Sequence, residues 1–345
     1  MLAYITRRLL LLPLILFGVT LLIFAMLQLL DPYERVSVFI RDPAQIKSGT
    51  EHLDRLIKKY GLDDPIPVQY FRWLNELFHG NLGWSETASR PVGDAILHFL
   101  PASAELALFA VIPILIGGIW LGTTSAVHQN DPIDQGTRVM AITGWSFPDF
   151  VFGLMVLMIF YGVLDWFPPG RLSTEISLVV NSAEFVRYTN MNTIDGILNG
   201  NLRVTLDALR HLALPVVTLA YVQWAVLMRV MRSSMLETLR QDYITTARAK
   251  GLRENVVINK HARRNALIPA VTISGLLVAG LLNGVVIVET VFNYRGLGRF
   301  YANAATQLDI PAVLGFVLFN GILFVVVNLV VDVLYAVIDP RVRLG

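Results

Sequence analysis

The sequence contains no cysteine, which excludes disulfide bonds, thiolate metal sites and cysteine nucleophiles. It also lacks a Gly-rich phosphate loop ending in Lys-Ser/Thr, a His-Glu-x-x-His zinc motif and a Gly-x-Ser-x-Gly nucleophile turn. Its six histidines do not pair at the spacing of metal ligands. We therefore expect no catalytic residues, no cofactor and no metal, and we do not expect an enzyme.

Charged residues are also scarce. They make up 16% of the chain, whereas hydrophobic residues make up 54%. The mean hydropathy of +0.57 is typical of a protein that places most of its surface in lipid. The net charge of +2 is too small to indicate a nucleic-acid partner.

Six long apolar segments are present instead, each near the roughly 20 residues needed to cross a bilayer as a helix. They lie at residues 9–30, 102–127, 139–164, 212–231, 266–288 and 310–338. Lipid-facing β-strands would alternate with a period of two, so these continuous runs predict helices. The predicted fold is an all-α integral membrane protein with six transmembrane helices.

The positions of Lys and Arg predict how the chain is oriented. Arg7 and Arg8 precede the first span, Arg341 and Arg343 follow the last, and the loop at 232–265 is rich in both residue types. With six spans these three places fall on one side of the membrane. Because short loops rich in Lys and Arg stay in the cytoplasm, both termini and this loop are predicted to be cytoplasmic.

The same count predicts the domain organisation. Residues 1–30 form the cytoplasmic N-terminus and the first transmembrane helix, and residues 31–101 form an external helical segment. Residues 102–345 form a core with the other five transmembrane helices. That core contains an external loop at 165–210 and the basic loop at 232–265.

The external segment carries an aromatic stripe at helical spacing. It consists of Tyr70, Phe71, Trp73, Leu74, Leu77 and Phe78. Because Trp and Tyr favour the headgroup layer, the stripe predicts an interfacial helix lying on the bilayer. The alternative is a surface contacted by an external delivery protein, and the two interpretations are compatible.

Polar residues inside the spans are candidates for a pathway or gate, because such groups are costly in hydrocarbon. The candidates are Glu105, Gln223, Asn283, Asn328 and Asp332. The alternative is that they make interhelical hydrogen bonds, and the polar stripe that includes Asn328 and Asp332 favours this alternative. Glu105 and Asp332 also support a different class of protein, an ion-coupled secondary transporter.

The basic loop between the fourth and fifth spans has the pattern of a docking element. Residues 243–250 predict a short helix that Gly251 ends, and residues 256–265 predict a second helix. The charge alone would also suit a loop that binds anionic lipid. The small residues Ala247 and Ala249 favour close approach to a soluble protein instead.

Several motifs, in order along the chain, resemble one family. They include Tyr60-Gly61-Leu62-Asp63-Asp64-Pro65, Tyr243 with Ala247-Arg248-Ala249-Lys250-Gly251, Arg264-Asn265-Ala266-Leu267-Ile268-Pro269, and Asp339-Pro340-Arg341-Val342-Arg343. The chain resembles the permease subunits of ATP-binding-cassette (ABC) importers of the dipeptide/oligopeptide type, and the basic loop resembles their EAA loop. Thr245 stands where the wider superfamily has glutamate, and the spacing from Gly251 to Pro269 is longer. Both departures match the peptide branch.

The resemblance implies a type I ABC importer permease fold in the inner membrane of a prokaryote. This chain would form half of a translocation pathway for peptides, or alternatively for oligosaccharides or metal complexes. The implied partners are a second, homologous permease subunit, two ATPase subunits that bind the ATP and Mg²⁺, an external solute-binding protein and the lipid bilayer. The residues implied to couple to the ATPase are Asp242, Tyr243, Ala247, Arg248, Ala249, Lys250, Gly251 and Asn265.

Overall fold

A computed structural model describes the backbone of residues 2–40, 50–282 and 285–338, with side chains described at 10–40, 54–278, 280–281 and 285–330. The first helices are α1 (Leu2–Leu27), α2 (Pro32–Val36), α3 (Thr50–Tyr60), α4 (Ile66–Phe78), α5 (Val92–Val127), α6 (Pro132–Ser146), α7 (Asp149–Leu157) and α8 (Thr174–Val180). They are followed by α9 (Asn192–Leu198), α10 (Leu202–Leu239), α11 (Asp242–Ala249), α12 (Glu254–Val256), α13 (Arg263–Leu282), α14 (Val286–Val291), α15 (Leu297–Thr306) and α16 (Ile310–Ile338). Strands β1 (Trp84–Ser85) and β2 (Arg90–Pro91) form an antiparallel hairpin before α5.

Four helices in the described part of the chain are long and apolar enough to cross a membrane, namely α1, α5, α10 and α16. A fifth crossing is added if α6 and the helical segment Asp149–Val163 count as one broken span. The prediction of an all-helical membrane protein with several apolar helices is confirmed. The number six stays a prediction.

The third predicted span, 139–164, is not one straight helix. The helix axis bends by 106° between its two parts. Phe147 has extended backbone angles, and Pro148 precedes the first residue of α7. The residue before a proline is sterically disfavoured in the helical region, so Pro148 ends α6 at this point. The prediction of a continuous helix here was wrong because hydropathy does not register a break in the backbone.

Other predicted spans differ from the observed helices in extent. The span predicted from residue 102 belongs to α5, which begins at Val92, and the span at 212–231 lies within the longer α10. The span at 266–288 includes parts of both α13 and α14. Hydropathy marks only the apolar part of a helix, whereas helical hydrogen bonding continues into polar residues on either side.

The chain divides into two compact units, and the first comprises Met1–Ser103 and Arg295–Leu329. In this unit α4 packs on α1, where Phe24 meets Tyr70 edge-on at 5.3 Å between ring centroids. Trp73 is also buried, whereas Phe71 and Phe78 are 67% and 82% exposed. The aromatic stripe of α4 is therefore divided between the protein core and the surface, and only its exposed part is available to lipid or to a partner.

Asp309 holds the hairpin of the first unit against the start of α16. Its buried carboxylate accepts a hydrogen bond from the Ser85 hydroxyl at 2.6 Å and one from the Thr87 backbone N–H at 3.0 Å. It also accepts the Ala312 backbone N–H at 3.2 Å, which satisfies one of the free donors in the first turn of α16. One side chain thus caps a helix and anchors a turn more than 200 residues earlier in the sequence.

The second unit comprises Ala104–Tyr294 and Val330–Gly345, and α10 packs closely on α5 in it. Gly118 and Gly122 of α5 form a small-x-x-x-small pair against Leu227 and Met231 of α10. A Cβ atom at Gly122 would lie 2.6 Å from the Met231 Cβ and 2.7 Å from the Met228 carbonyl oxygen. Such pairs let helix backbones approach closely in membranes.

Replacing Gly122 with alanine is expected to destabilise the protein by about 1 to 3 kcal/mol, because the added methyl group meets backbone that cannot move aside. The matched control is Gly136→Ala in α6, where nothing lies within 4 Å of the added Cβ. The control should be neutral or stabilising, because alanine favours helix over glycine. Thermal unfolding of the purified variants measures both. If Gly122→Ala and the unmodified protein have equal melting temperatures, the close packing of α5 on α10 at Gly122 does not contribute to stability.

Candidate coupling site

Helix α11 packs against the rest of the second unit through two side chains one helical turn apart. Ile244 is fully buried and Ala247 is 6% exposed. Both belong to a hydrophobic cluster that includes Met235 of α10 and Val257, which follows α12. Burial of apolar area of this kind is the main stabilising contribution to helix docking. Helix α11 is therefore attached to the elements on both sides of it in the sequence.

The rest of the α11 surface is exposed and forms its exposed face. Asp242 and Ala249 lie opposite the buried side, Tyr243 and Arg248 flank it, and Lys250 follows directly. Ala247, which the sequence grouped with these residues as a coupling residue, instead faces the chain's own core. Its assignment as a coupling residue stays a prediction.

Helix α11 ends just before Gly251, as the sequence predicts. This glycine has a positive φ of 73°, which a residue with a side chain adopts only with strain. The Gly251 N–H donates to the Arg248 carbonyl at 2.9 Å, and the Leu252 N–H donates to the Ala247 carbonyl at 3.4 Å. This pair of bonds is the Schellman pattern that closes a helix.

An exposed ion pair joins α11 to α12. Arg248 donates to Glu254 through Nη2 at 2.7 Å and through Nε at 3.2 Å. The hydrogen bond and the charge of Arg248 lower the pKa of the Glu254 carboxyl below its ordinary value. The pair orients the Arg248 side chain on the exposed face.

The predicted second helix at 256–265 is not separate. Glu254–Val256, the π-helical turn Val257–Ala262 and α13 follow one another without a break in helical backbone angles. The helix that follows α11 therefore continues into the next apolar segment. A single turn of π-helix inside a longer helix is a common local adjustment.

Tyr243 and Asn265 form a second link between α11 and α13. The Asn265 side-chain amide donates to the Tyr243 hydroxyl at 3.0 Å and to the His261 carbonyl at 3.0 Å. A cavity of about 540 Å³ adjoins the pair and is also lined by Glu237 and Pro269. The structure thus brings together two predicted coupling residues that are 22 positions apart in the sequence.

A buried ion pair supports α10 just before α11, and the sequence interpretation missed it. Arg232 of α10 contacts the Asp134 carboxylate through Nε and Nη2, each at 2.8 Å. Asp134 is fully buried and also accepts a hydrogen bond from Ser125 of α5. Nothing in the local sequence indicates this pair, because Asp134 lies in the polar stretch 128–138 between two apolar segments.

Glu105, a predicted pathway residue, is enclosed at the other end of the second unit. Its carboxylate is 1% exposed and accepts Arg171 Nη2 at 2.8 Å. It also accepts the Thr193 N–H at 2.7 Å, the Thr193 hydroxyl at 2.8 Å and the Tyr294 hydroxyl at 2.9 Å. Burial, and then the nearby Glu105 carboxylate, raise the pKa of Tyr294 well above its ordinary value, so its hydroxyl stays protonated and donates. The sequence interpretation did not identify these three partners.

None of the remaining pathway candidates is among the hydrogen-bond partners described for Glu105. Gln223 is half-buried on α10. Asn328 donates to the Phe324 carbonyl of its own helix at 2.8 Å, which satisfies it locally. Asn283 lies outside the described residues, and so does the side chain of Asp332. Their assignment to a pathway stays a prediction.

Comparison with known proteins supports the resemblance. Residues 118–344 match the family described as binding-protein-dependent transport system inner membrane component, and residues 1–107 match the N-terminal part of such components. The chain belongs to this family. It is therefore a multi-pass inner-membrane protein and a transport subunit of an ABC importer.

Curated relatives of this family cover nearly the whole chain. The probable D,D-dipeptide transport system permease protein of Escherichia coli (strain K12) is 42% identical over 88% of this chain and 89% of its own length. The di/tripeptide transport system permease protein of Pseudomonas aeruginosa (strain UCBPP-PA14) is 38% identical over 99% of both chains. The oligopeptide transport system permease protein of Bacillus subtilis (strain 168) is 37% identical over 99% of this chain and its own full length.

Proposed function

We propose that this chain forms half of the translocation pathway of an ATP-driven importer of peptides. Membership of the binding-protein-dependent family and relatives that carry dipeptide, di/tripeptide and oligopeptide names support this function. The structural observation that carries it is the two-sided character of α11. One face is fixed to the chain's own core by Ile244 and Ala247, and the other is exposed.

This arrangement suits α11 for coupling. A soluble ATPase subunit that holds the exposed face pulls on a helix packed against α10 and linked to α13 by Tyr243 and Asn265. Because these elements are joined by packing and hydrogen bonds, a displacement of α11 favours a rearrangement of the apolar helices. Such differential contacts in two states are what alternating access requires.

The other parts of the importer follow from this assignment. Two ATPase subunits bind ATP and Mg²⁺, a second, homologous permease subunit completes the pathway, and an external solute-binding protein delivers the peptide. We propose six transmembrane helices, with α13 and α14 contributing the fifth and both termini in the cytoplasm. Residues 31–101 and the loop that ends at α10 then lie outside.

The competing class, an ion-coupled secondary transporter, is not favoured by the surroundings of Glu105. A carboxylate that carries an ion must exchange its partners, whereas this one accepts four hydrogen bonds in a buried site. Neither oligosaccharides nor metal complexes are named among the relatives compared above, so peptides remain the proposed substrate.

Uptake of a labelled dipeptide into proteoliposomes tests the proposal, with the complete complex and its solute-binding protein present. We expect uptake to require ATP inside and the binding protein outside, to persist with a protonophore, and to be inhibited by unlabelled dipeptide but not by an oligosaccharide. Uptake that continues without the ATPase subunits and stops with the protonophore would overturn the mechanism. Inhibition by the oligosaccharide alone would overturn the substrate.

A further inference from the structure

A groove on the second unit, between α6 and α10, has a chemistry that the coupling function does not use. Its cavity has a volume of about 830 Å³. Four arginines line it: Arg138 of α6, Arg229 and Arg232 of α10, and Arg240, which follows α10. Arg232 is neutralised by Asp134. Within the described part of the chain the other three form no ion pair, so the groove holds uncompensated positive charge.

The helix geometry places these charges along one line. Arg229 and Arg240 are 11 positions apart, which brings them to nearly the same side of α10 at about 100° per residue and separates them by roughly 16 Å. Arg138 faces them from α6 across the groove. One carboxylate, that of Glu237, also lines the groove and leaves the positive charges in excess.

The surface beside the groove is apolar. Val139, Ile142 and Trp145 lie three positions apart on α6, and each is 60% exposed. Arg229 lies over the Trp145 ring, with its guanidinium carbon 5.4 Å from the ring centroid. Tryptophan, arginine and an adjoining apolar face are together typical of the boundary between lipid tails and headgroups.

The length of α10 is consistent with a groove that lies at the level of the lipid headgroups. A helix of 38 residues is about 57 Å long, whereas the hydrocarbon core is about 30 Å thick. The last turns of α10, which contain the groove, therefore extend beyond the lipid tails. Basic grooves between helices at this level attract anionic headgroups.

We propose that this groove binds the phosphate of an anionic phospholipid, with Arg138, Arg229 and Arg240 around the headgroup and the acyl chains along Ile142 and its exposed neighbours. A free phosphate ion would use the same arginines but would gain nothing from the apolar face. The site is independent of the transported substrate.

The test compares lipid binding by two variants of the intact transport complex. The triple variant Arg138→Gln, Arg229→Gln, Arg240→Gln removes the groove charges. The matched control Arg253→Gln, Lys260→Gln, Arg264→Gln removes three exposed charges between the end of α11 and the first turn of α13. Binding of phosphatidylglycerol and phosphatidylcholine to the detergent-purified complex is measured by native mass spectrometry, after thermal unfolding has shown that each variant is folded.

We expect the groove variant to lose phosphatidylglycerol affinity by one to two orders of magnitude, since each basic residue near a membrane surface contributes about a factor of five. The control should change much less, and phosphatidylcholine should bind weakly to all forms. Inorganic phosphate should not displace the lipid. An equal loss in both triple variants would overturn the site in favour of unspecific attraction, and displacement by phosphate would overturn the lipid in favour of the free ion.

A single cysteine at Ile142 provides a second measurement that does not depend on the triple variant. Because the chain has no other cysteine, a thiol-reactive label attaches to this subunit at that position alone. With a thiol-reactive, photoactivatable group at Ile142→Cys, we expect crosslinks to added phosphatidylglycerol in the intact complex. Crosslinks to another subunit and none to lipid would overturn the proposal and identify the groove as a protein interface.

Discussion

Replacing Glu105 with alanine is expected to lower the free energy of unfolding by about 3 to 5 kcal/mol, since removal of one member of a buried ion pair leaves the other charge uncompensated. Arg171, with its side chain 20% exposed, loses its anion. The Tyr294 hydroxyl and both Thr193 donors lose their acceptor in the same step. Unfolding of the purified protein in detergent, followed by circular dichroism, measures the change.

Glu184→Ala is the matched control, because Glu184 is an exposed carboxylate in the loop before α9. We expect it to unfold like the unmodified protein, within about 0.5 kcal/mol. The double variant Glu105→Ala, Arg171→Ala should lose less than the sum of its two single variants, because the second change removes the charge that the first left unpaired. If Glu105→Ala unfolds normally but abolishes uptake, Glu105 acts in the pathway and not in the fold.

Replacing Ala249 with tryptophan is expected to abolish ATP-dependent uptake and co-purification with the ATPase subunits. Ala249 lies on the exposed face of α11, so the chain itself has room for the larger side chain. An ATPase subunit that packs closely against α11 at this small residue has no room for the larger side chain. The melting temperature of the isolated subunit should stay within a few degrees of the unmodified value, which corresponds to less than about 1 kcal/mol.

The control for this substitution is Ala183→Trp, which places the same side chain at an exposed alanine of the loop before α9. It should leave co-purification with the ATPase subunits unchanged. Normal assembly and uptake in the Ala249→Trp variant would show that the exposed face of α11 is not the surface that the ATPase holds. The proposed coupling mechanism would then be wrong.

The coupling segment shows how much of a candidate site can be predicted locally. A helix ending before Gly251 follows from residue preferences and from the backbone freedom of glycine, both of which are local properties. Which side chains of that helix face inward could not be predicted, because Ile244 and Ala247 are buried by Met235 and Val257 from neighbouring elements. The sequence therefore predicts the helix, but not that the Ala247 side chain is buried on its inner side.

The buried polar groups show where prediction from sequence stopped. The sequence alone marks Glu105 as unusual, because a charge in an apolar segment is costly whatever surrounds it. Its partners Arg171, Thr193 and Tyr294 lie 66, 88 and 189 positions away, and no periodicity in the sequence connects them. The pair of Arg232 and Asp134, 98 positions apart, cannot be predicted from the sequence for the same reason.

Composition, hydropathy and short motifs by themselves determined that this is a helical membrane protein, the family to which it belongs and the position of α11. These properties depend on the residues of one segment at a time. Only the tertiary structure decided the division of the α4 aromatics between core and surface, the burial of Glu105 and the grouping of arginines between α6 and α10. Each depends on which distant segments meet, and that is settled by packing and charge compensation across the whole unit.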